Sequence, residues 1–265
     1  SATATTTDGD GDTATATVSA DLGGNIRFDD DVPSVTANAV AESGITLTTQ
    51  DFDTRGTGVD TSPSASFAAA FLTAAQPVYG ADGAGGTVIS GYTLTITGGN
   101  GTVSGLFSDG VAITLAKVGN DVVGSAGTAE VFRISVDVSG TVSLTQSAEL
   151  DHVGTGNNLQ IALANSLVTL SATATTTDGD GDTATATVSA DLGGNIRFDD
   201  DVPSVTAGTV ADGTITLTTQ DVQTMGEATD SASASFAAAF LGAAAPVYGA
   251  DGAGTTVISG YTLAA

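Results

Sequence analysis

The sequence contains no cysteine and very few basic residues, and each shortage excludes a class of protein. Without cysteine no disulfide can form, so a hydrophobic core or bound metal must stabilise the fold instead. Lysine and arginine total 5 against 30 acidic residues, which gives a formal net charge of −25. Because nucleic acids and anionic membranes require a basic surface, we expect neither as a partner.

Long apolar runs are also missing from the chain. No segment approaches the roughly 20 apolar residues of a membrane-spanning helix, so we expect no membrane insertion. Hydrophobic residues nevertheless make up 41 % of the 265 residues, which is enough to build a core. The acidic residues are clustered and do not form long solvating tracts, so the composition favours a folded protein over a disordered one.

A long internal repeat organises the chain. Residues 1–37 recur without a change as residues 171–207, which sets a period of 170 residues. Such a period is too long for a solenoid turn and fits a whole domain repeated in tandem. Val-Pro pairs at residues 32–33 and 202–203 stiffen the chain and suit domain boundaries.

These boundaries divide the chain into three parts. We expect the C-terminal part of a preceding repeat at 1–32, one complete repeat at 33–202, and the N-terminal part of a following repeat at 203–265. Half-buried strands do not persist alone in water. The two partial repeats are therefore expected to need neighbouring copies, further chain or strand donation between molecules to complete their sheets.

Alternation of small apolar and hydroxyl-bearing residues predicts strands along almost the whole chain. Residues 2–7 and 13–20 alternate strictly on either side of an Asp-Gly turn, which indicates a β-hairpin. Many other short alternating segments are separated by Gly, Asn, Ser and Asp. The pattern predicts an all-β fold, an antiparallel β-sandwich. Residues 65–75 fit either one short helix or a strand edge followed by a turn.

Clustered carboxylates are the candidate metal ligands. Like charges 4 Å apart repel by about 1 kcal/mol in water and about 4 kcal/mol near a protein surface, so a compact acidic turn favours a bound cation. Oxygen ligands in a flexible loop, with no cysteine and a single histidine, favour Ca²⁺ over Mg²⁺ and softer metals. The candidates lie in two Asp-Gly-Asp-Gly-Asp loops and two Asp-Asp-Asp linkers: Asp8, Asp10, Asp12, Asp178, Asp180, Asp182, Asp29, Asp30, Asp31, Asp199, Asp200 and Asp201.

Other interpretations of these clusters stay open at this point. The loop is not an EF-hand, because Thr13 stands where that motif needs Gly and Ser19 where it needs Glu. It could be a solvated hairpin turn, and the linker cluster could be a solubilising patch. Acidic residues early in each repeat could complete the linker site, namely Glu42 and Asp51 and their counterparts Asp212 and Asp221. Asp53 is a less consistent candidate ligand, because Gln223 occupies the corresponding position in the next copy.

Catalytic residues are not evident, and we expect no enzyme. His152 is the only histidine, and a lone histidine in a turn is more often packed or hydrogen-bonded than catalytic. Paired carboxylates can act as acid and base, but here they lie in loops suited to a cation. The threonine-rich strand faces are interpreted as ordinary solvent-facing β-branched residues.

Five motifs together resemble one family. They occur in the order Tyr79–Gly85, Gly140–Gln146, Leu150–His152, Thr177–Thr183 and Ile196–Pro203. This combination is similar to the long tandem repeats of the large repeats-in-toxin (RTX) adhesins that Gram-negative bacteria export by type I secretion. The resemblance implies Ig-like extender domains, Ca²⁺-dependent rigidity, and a place outside the cell, on its surface or in the biofilm matrix. The glycine-rich nonapeptide of that family is not evident here.

The resulting expectation is a structural protein. These domains would be extender repeats of an extracellular adhesin or fibre, rigidified by Ca²⁺ at acidic loops and linkers, and would serve surface attachment or biofilm cohesion. Their partners would be neighbouring repeats or other copies in a fibre, with surface glycans bound by other parts of the parent protein. The alternative is a Ca²⁺-dependent glycan-binding module, in which the ion bridges to a sugar.

Overall fold

Strands dominate the computed structural model, which describes residues 1–153 and 159–264. Strands make up 43 % of the chain and helices 8 %, so the prediction of an all-β sandwich is confirmed. The strands are β1 (Ala2–Thr7), β2 (Thr13–Val18), β3 (Ser34–Ala37), β4 (Leu47–Gln50), β5 (Asp60–Thr61), β6 (Ala65–Ser66), β7 (Ala75–Val78), β8 (Ala84–Ile96), β9 (Thr102–Ser108), β10 (Val111–Val118), β11 (Asp121–Ala126), β12 (Ala129–Val136), β13 (Thr141–Gln146), β14 (Gln160–Ala162), β15 (Val168–Asp178), β16 (Thr183–Asp191), β17 (Ile196–Asp199), β18 (Ser204–Ala207) and β19 (Ala244–Val247).

Short helices interrupt the strands at two equivalent places. The α-helices are α1 (Ala68–Ala74) and α2 (Ala237–Ala243), and 3₁₀ helices span Asp51–Thr54 and Asp221–Thr224. The segment that fitted either a helix or a strand edge is thus helical at α1, where three consecutive alanines favour a helix. None of the helices described is long and apolar enough to cross a membrane.

A seven-stranded sheet forms one layer of the sandwich. Its order is β5-β13-β12-β11-β10-β9, with β6 also paired to β13. The opposite layer is built from two three-stranded sheets, β16-β15-β8 and β14-β17-β4. Neighbours in these sheets run antiparallel, except that β17 pairs with β4 in parallel. This pairing brings the last strand of the repeat beside one of its first, which holds the end of the repeat near its beginning.

The hydrophobic core lies between these layers. It is continuous from Val40 to Phe198 and therefore falls within the expected complete repeat. Phe132 of the seven-stranded sheet packs on Phe198 of the opposite layer, with ring centroids 5.1 Å apart, and Phe71 of α1 packs on Tyr92 at 5.5 Å. Along β15 the apolar side chains, such as Ala174, face this core and alternate with threonines on the outer face.

The hairpin of β15 and β16 positions one acidic loop. Its strands pair from Thr169↔Asp191 to Thr177↔Thr183, so the Asp-Gly-Asp-Gly-Asp loop lies at the tip as predicted. Strand β8 pairs with the other edge of β15, and Asp178 lies opposite Ala84. The tip of the hairpin therefore lies beside the loop that precedes β8.

Residues 1–32 contribute no side chain to this core in the part of the chain that the structure describes. Hairpin β1–β2 pairs only with itself in the part of the chain that the structure describes, and residues 1–32 are exposed. Phe28 is 93 % exposed, whereas the corresponding Phe198 is 0 % exposed. In the described residues β1 and β2 do not pair with residues 214–219 or 261–263, so the chain ends do not close on each other. Their completion by neighbouring copies or further chain stays a prediction.

Candidate metal centre at the junctions between repeats

The Asp-Gly-Asp-Gly-Asp loop folds through its own backbone. Asp178 Oδ1 accepts hydrogen bonds from the N–H groups of Gly181 at 3.1 Å and Asp182 at 2.8 Å. Gly181 has a φ of 109°, a value that suits glycine. In the exposed copy, Asp8 Oδ1 accepts the equivalent bonds from Gly11 at 3.1 Å and Asp12 at 2.9 Å. The turn thus has the same form whether it is packed or free.

In the complete repeat this loop packs against the loop at residues 79–83. A Cβ added to Gly179 would collide with the carbonyl oxygen of Asp82, so the two backbones are in direct contact. A chain of hydroxyls fixes the second loop: Tyr79 Oη lies 3.0 Å from Thr87 Oγ1, which lies 3.0 Å from Thr176 Oγ1. This packing brings the carboxylate of Asp82 beside the acidic hairpin tip.

The Asp-Asp-Asp linker at residues 29–31 lies against the hairpin tip at 178–182 and the loop at 79–83. We call this contact region the first junction. Asp31 Oδ2 accepts a hydrogen bond from the N–H of Ala81 at 2.7 Å. Carboxylate oxygens of Asp30, Asp82 and Asp180 lie within 4.8 Å of one another. The first junction therefore combines carboxylates from the end of one repeat with those of two loops of the next.

The linker at residues 199–201 makes the same contact with the following partial repeat, at the second junction. Asp201 Oδ2 accepts a hydrogen bond from the N–H of Ala250 at 2.5 Å. Oxygens of Asp200, Asp201 and Asp251 lie within 4.8 Å of one another. Tyr248 Oη again bonds a threonine hydroxyl, at 2.8 Å, so the receiving loop is held as in the first junction.

At each junction, neighbouring carboxylates raise the pKa of particular acidic side chains. The hydrogen bond with Asp31 raises the pKa of Asp82, as do burial and the charges of Asp31 and Asp30. The pKa of Asp180 is likewise raised, because its carboxyl lies beside that of Asp178 and would share a proton with it when protonated. At the second junction, burial and the charges of neighbouring carboxylates raise the pKa of Asp251 to about 6. Within the described residues, no lysine or arginine forms an ion pair with these carboxylates.

Among the residues that the structure describes, two carboxylate oxygens are buried without a hydrogen-bond partner. They are Asp178 Oδ2 and Asp201 Oδ1, in residues that are 3 % and 7 % exposed. Burying a charged oxygen without a partner is costly, and in proteins such groups are paired or bind a metal. All the available ligands at the junctions are oxygens on adaptable loops, which is the ligand set that Ca²⁺ prefers. The residues present therefore fit a Ca²⁺ ion.

A different cation neutralises the buried Asp51. The Nδ1 atom of His152 lies 2.8 Å from the Leu150 carbonyl oxygen and 3.2 Å from Asp51 Oδ2, and its Nε2 lies 3.2 Å from the Phe198 carbonyl oxygen. Because both ring nitrogens face acceptors, both must carry protons. Burial lowers the pKa of His152, but hydrogen bonds to Asp51 and Phe198 and the charges of Asp51 and Asp200 outweigh it and raise the pKa to about 9.

This imidazolium links Asp51 to the end of its own repeat. His152 Nδ1 lies 3.7 Å from Asp200 Oδ1, so the same group that neutralises Asp51 also faces the linker. Asp51 accepts further hydrogen bonds from Gln146 Nε2 and from the Leu150 N–H. The role of Asp51 as a metal ligand stays a prediction, with His152 as the competing cation.

The structure brings seven of the sixteen ligands predicted from the sequence to the two junctions. Asp30, Asp31, Asp178, Asp180 and Asp182 lie at the first junction, and Asp200 and Asp201 lie at the second. Asp8, Asp10 and Asp12 form an exposed group of their own. Among the described residues, no candidate metal group includes Asp29, Asp199, Glu42, Asp212 or Asp221.

The three aspartates of the linker at residues 199–201 do not all face the same partner. Asp199 Oδ1 accepts a hydrogen bond from Gln160 Nε2 at 2.6 Å and so faces its own repeat. Asp82 and Asp251 also belong to these candidate metal groups, and the sequence analysis did not predict them as candidate ligands. A signal for them existed, because Tyr-Gly-Ala-Asp-Gly recurs at residues 79–83 and 248–252 in both copies.

Comparison with known proteins identifies one family. The family described as "Domain of unknown function (DUF5801)" matches residues 34–193. This span includes the receiving loop at 79–83 and the acidic hairpin tip at 178–182, and it ends before the linker at 199–201. No curated protein and no solved structure matches the chain.

Proposed function

The chain belongs to this DUF5801 family, and we propose that its repeats are structural extenders of an extracellular bacterial adhesin or fibre, held stiff by Ca²⁺ at the junctions. One observation carries the proposal, namely that the same contact occurs at both junctions. Asp31 bonds the N–H of Ala81, and Asp201 bonds the N–H of Ala250 in the same way. The end of each repeat thus docks on the same loop of the next.

Because the linkers are short, this docking would determine the shape of a longer chain of repeats. Only Val-Pro separates each Asp-Asp-Asp cluster from the first strand of the next repeat. Such a linker leaves little freedom once the carboxylates are fixed, because proline restricts its own backbone and that of the preceding residue. A cation shared by linker and loops would convert mutual repulsion into attraction, so Ca²⁺ would set the stiffness of the array.

The adhesin part of the proposal is supported by sequence features. The five ordered motifs resemble RTX adhesin repeats, and 37 residues recur without a change. A domain that serves as a spacer can be copied in this way, whereas a ligand-binding tip usually occurs once. Metal binding would also supply the stabilisation that the absent disulfides cannot. Surface attachment or biofilm cohesion is the role that such an array would serve.

A Ca²⁺ titration followed by thermal unfolding tests this function. A ligand that binds only the folded state at 100 times its Kd adds about 2.7 kcal/mol. For a domain of this size that corresponds to a rise in Tm of about 5–10 °C. We expect this rise with millimolar Ca²⁺, a smaller one with Mg²⁺, and a reduced rise in Asp31→Asn/Asp201→Asn. A Tm that neither Ca²⁺ nor a chelator changes would contradict the proposal.

A glycan array separates the extender from the alternative module. The chain is applied with Ca²⁺ and again with a chelator. We expect no Ca²⁺-dependent binding, because the carboxylates of the first junction face one another across two repeats. Specific sugar binding that the chelator abolishes would favour a glycan-binding module instead.

A further inference from the structure

Two groups of carboxylates at the first junction share one residue. The inner group consists of Asp178, Asp180 and Asp182, all from one hairpin tip. The outer group consists of Asp30, Asp82 and Asp180, from the preceding linker and both loops. In each group one oxygen per residue lies within 4.8 Å of the others. Only Asp180 belongs to both groups among the residues that the structure describes.

The size of each group matches one ion. Oxygen ligands lie about 2.3–2.6 Å from a Ca²⁺ ion, so two ligands of one ion are at most about 5 Å apart. Each group meets this limit separately. Together with Asp31, the two groups place six carboxylates at the junction, and one divalent cation would offset only two of these charges. A second cation is needed to offset most of the remaining repulsion.

An unpartnered buried oxygen points independently to a ligand of the inner group. Asp178 is 3 % exposed, and its Oδ1 is already bonded to the N–H groups of Gly181 and Asp182. Its Oδ2 has no hydrogen-bond partner within residues 1–153 and 159–264. The second junction repeats the observation in the linker, where Asp201 Oδ1 is buried and unpartnered although Asp201 Oδ2 is bonded to Ala250. Burying a charged oxygen in this way is costly, and a bound cation would remove that cost.

We propose that each complete junction holds two Ca²⁺ ions bridged by the carboxylate of Asp180. The inner ion is bound by Asp178, Asp180 and Asp182 and belongs to one repeat. The outer ion is bound by Asp30, Asp82 and Asp180 and ties the preceding linker to that repeat. This inference rests on the proposed function. It adds that the inner ion favours binding of the outer ion, because it fixes and partly neutralises the Asp180 carboxylate that both ions share.

Two exposed or incomplete copies in the same chain provide internal comparisons. Asp8, Asp10 and Asp12 form an inner-type group on the free hairpin, without a linker beside it. Asp200, Asp201 and Asp251 form an outer-type group without a hairpin tip among the described residues. The two kinds of group therefore occur separately, as expected if each belongs to its own ion.

Counting bound Ca²⁺ by equilibrium dialysis tests the shared carboxylate. The whole chain is measured at the lowest free Ca²⁺ that saturates the wild type. We expect Asp180→Asn to bind two ions fewer, because both ions lose a ligand. Asp82→Asn should bind one ion fewer, since only the outer ion uses that residue. The matched control is Asp10→Asn, the same substitution on the free hairpin, which should lower the count by at most one.

The outcomes separate this inference from the function on which it rests. A wild-type chain that binds no Ca²⁺ overturns both. If the wild type binds Ca²⁺ and gains stability from it, but Asp180→Asn loses fewer than two ions, the shared carboxylate alone is overturned. A loss of two ions in Asp82→Asn would contradict an independent inner ion. Asp180 is exposed, so Asp180→Asn should fold, and a far-UV circular dichroism spectrum like that of the wild type verifies this.

Discussion

Gly179→Ala should loosen the contact between the acidic hairpin tip and the receiving loop. The new Cβ would collide with the carbonyl oxygen of Asp82. Since that atom belongs to the backbone, no side-chain rotation can relieve the collision, and one of the loops must move. Overpacking of this kind costs about 1–3 kcal/mol. The displacement would also separate Asp82 from Asp180 and weaken the outer cation site.

Gly9→Ala is the matched control for this substitution. Gly9 occupies the same place in an identical sequence on the free hairpin, where an added Cβ meets nothing within 4 Å. Neither glycine has a positive φ, so alanine is not strained at either position. The effect on the unfolded chain is the same for both, because the flanking sequences are identical. Any difference between the two variants therefore measures the packing of the loop in the complete repeat.

Urea unfolding and a Ca²⁺ titration of the two variants provide the measurement. We expect Gly179→Ala to lower the free energy of unfolding by about 1–3 kcal/mol relative to Gly9→Ala, and to bind Ca²⁺ more weakly. Gly9→Ala should stay within about 0.5 kcal/mol of the wild type. Equal stability and equal Ca²⁺ affinity of the two variants would refute the contact between the loops on which both junction proposals depend.

Two further predictions use the core and the buried ion pair. Phe198→Ala should cost about 3–5 kcal/mol in urea unfolding, whereas Phe28→Ala, at the exposed copy, should cost under about 0.5 kcal/mol; equal costs would place the core elsewhere. The pKa of His152 is raised from 6.5 to about 9 on folding, so its stabilisation is complete below the lower value and is lost as pH rises through the higher one. In the presence of chelator, the wild type should therefore lose about 3 kcal/mol of unfolding free energy over this pH range, and His152→Gln should not. Parallel plots of unfolding free energy against pH for the two proteins would contradict this prediction.

Local patterns were sufficient to predict the hairpins and the fold class. Strict alternation around Asp-Gly-Asp-Gly-Asp predicted β1–β2 and β15–β16, and both form. Strands β9 and β11 lack strict alternation in the sequence, because Gly105 and Gly124 interrupt it. The parallel pairing of β17 with β4 was not predicted either, since it joins residues about 150 positions apart. Such pairings depend on the topology of the whole domain and leave no local signal.

The same limit applies to the candidate site. The clustered aspartates were visible in the sequence, but their separation into inner and outer groups depends on the register of β15 with β8, which places the hairpin tip beside the Asp82 loop. The pairing of Asp51 with His152 joins residues about 100 positions apart through the burial of both. Neither arrangement follows from composition or spacing.

Stiffness of the junction is the central claim, and a distance measurement between spin labels tests it most directly. The chain has no cysteine, so Ser19→Cys and Thr128→Cys, both at exposed positions on opposite sides of the first junction, can be labelled uniquely. Double electron–electron resonance should give a narrow distance distribution with Ca²⁺ and a broad one with chelator, and adding Asp30→Asn and Asp82→Asn should keep it broad. A distribution of the same width with and without Ca²⁺ would contradict a junction held by the ion.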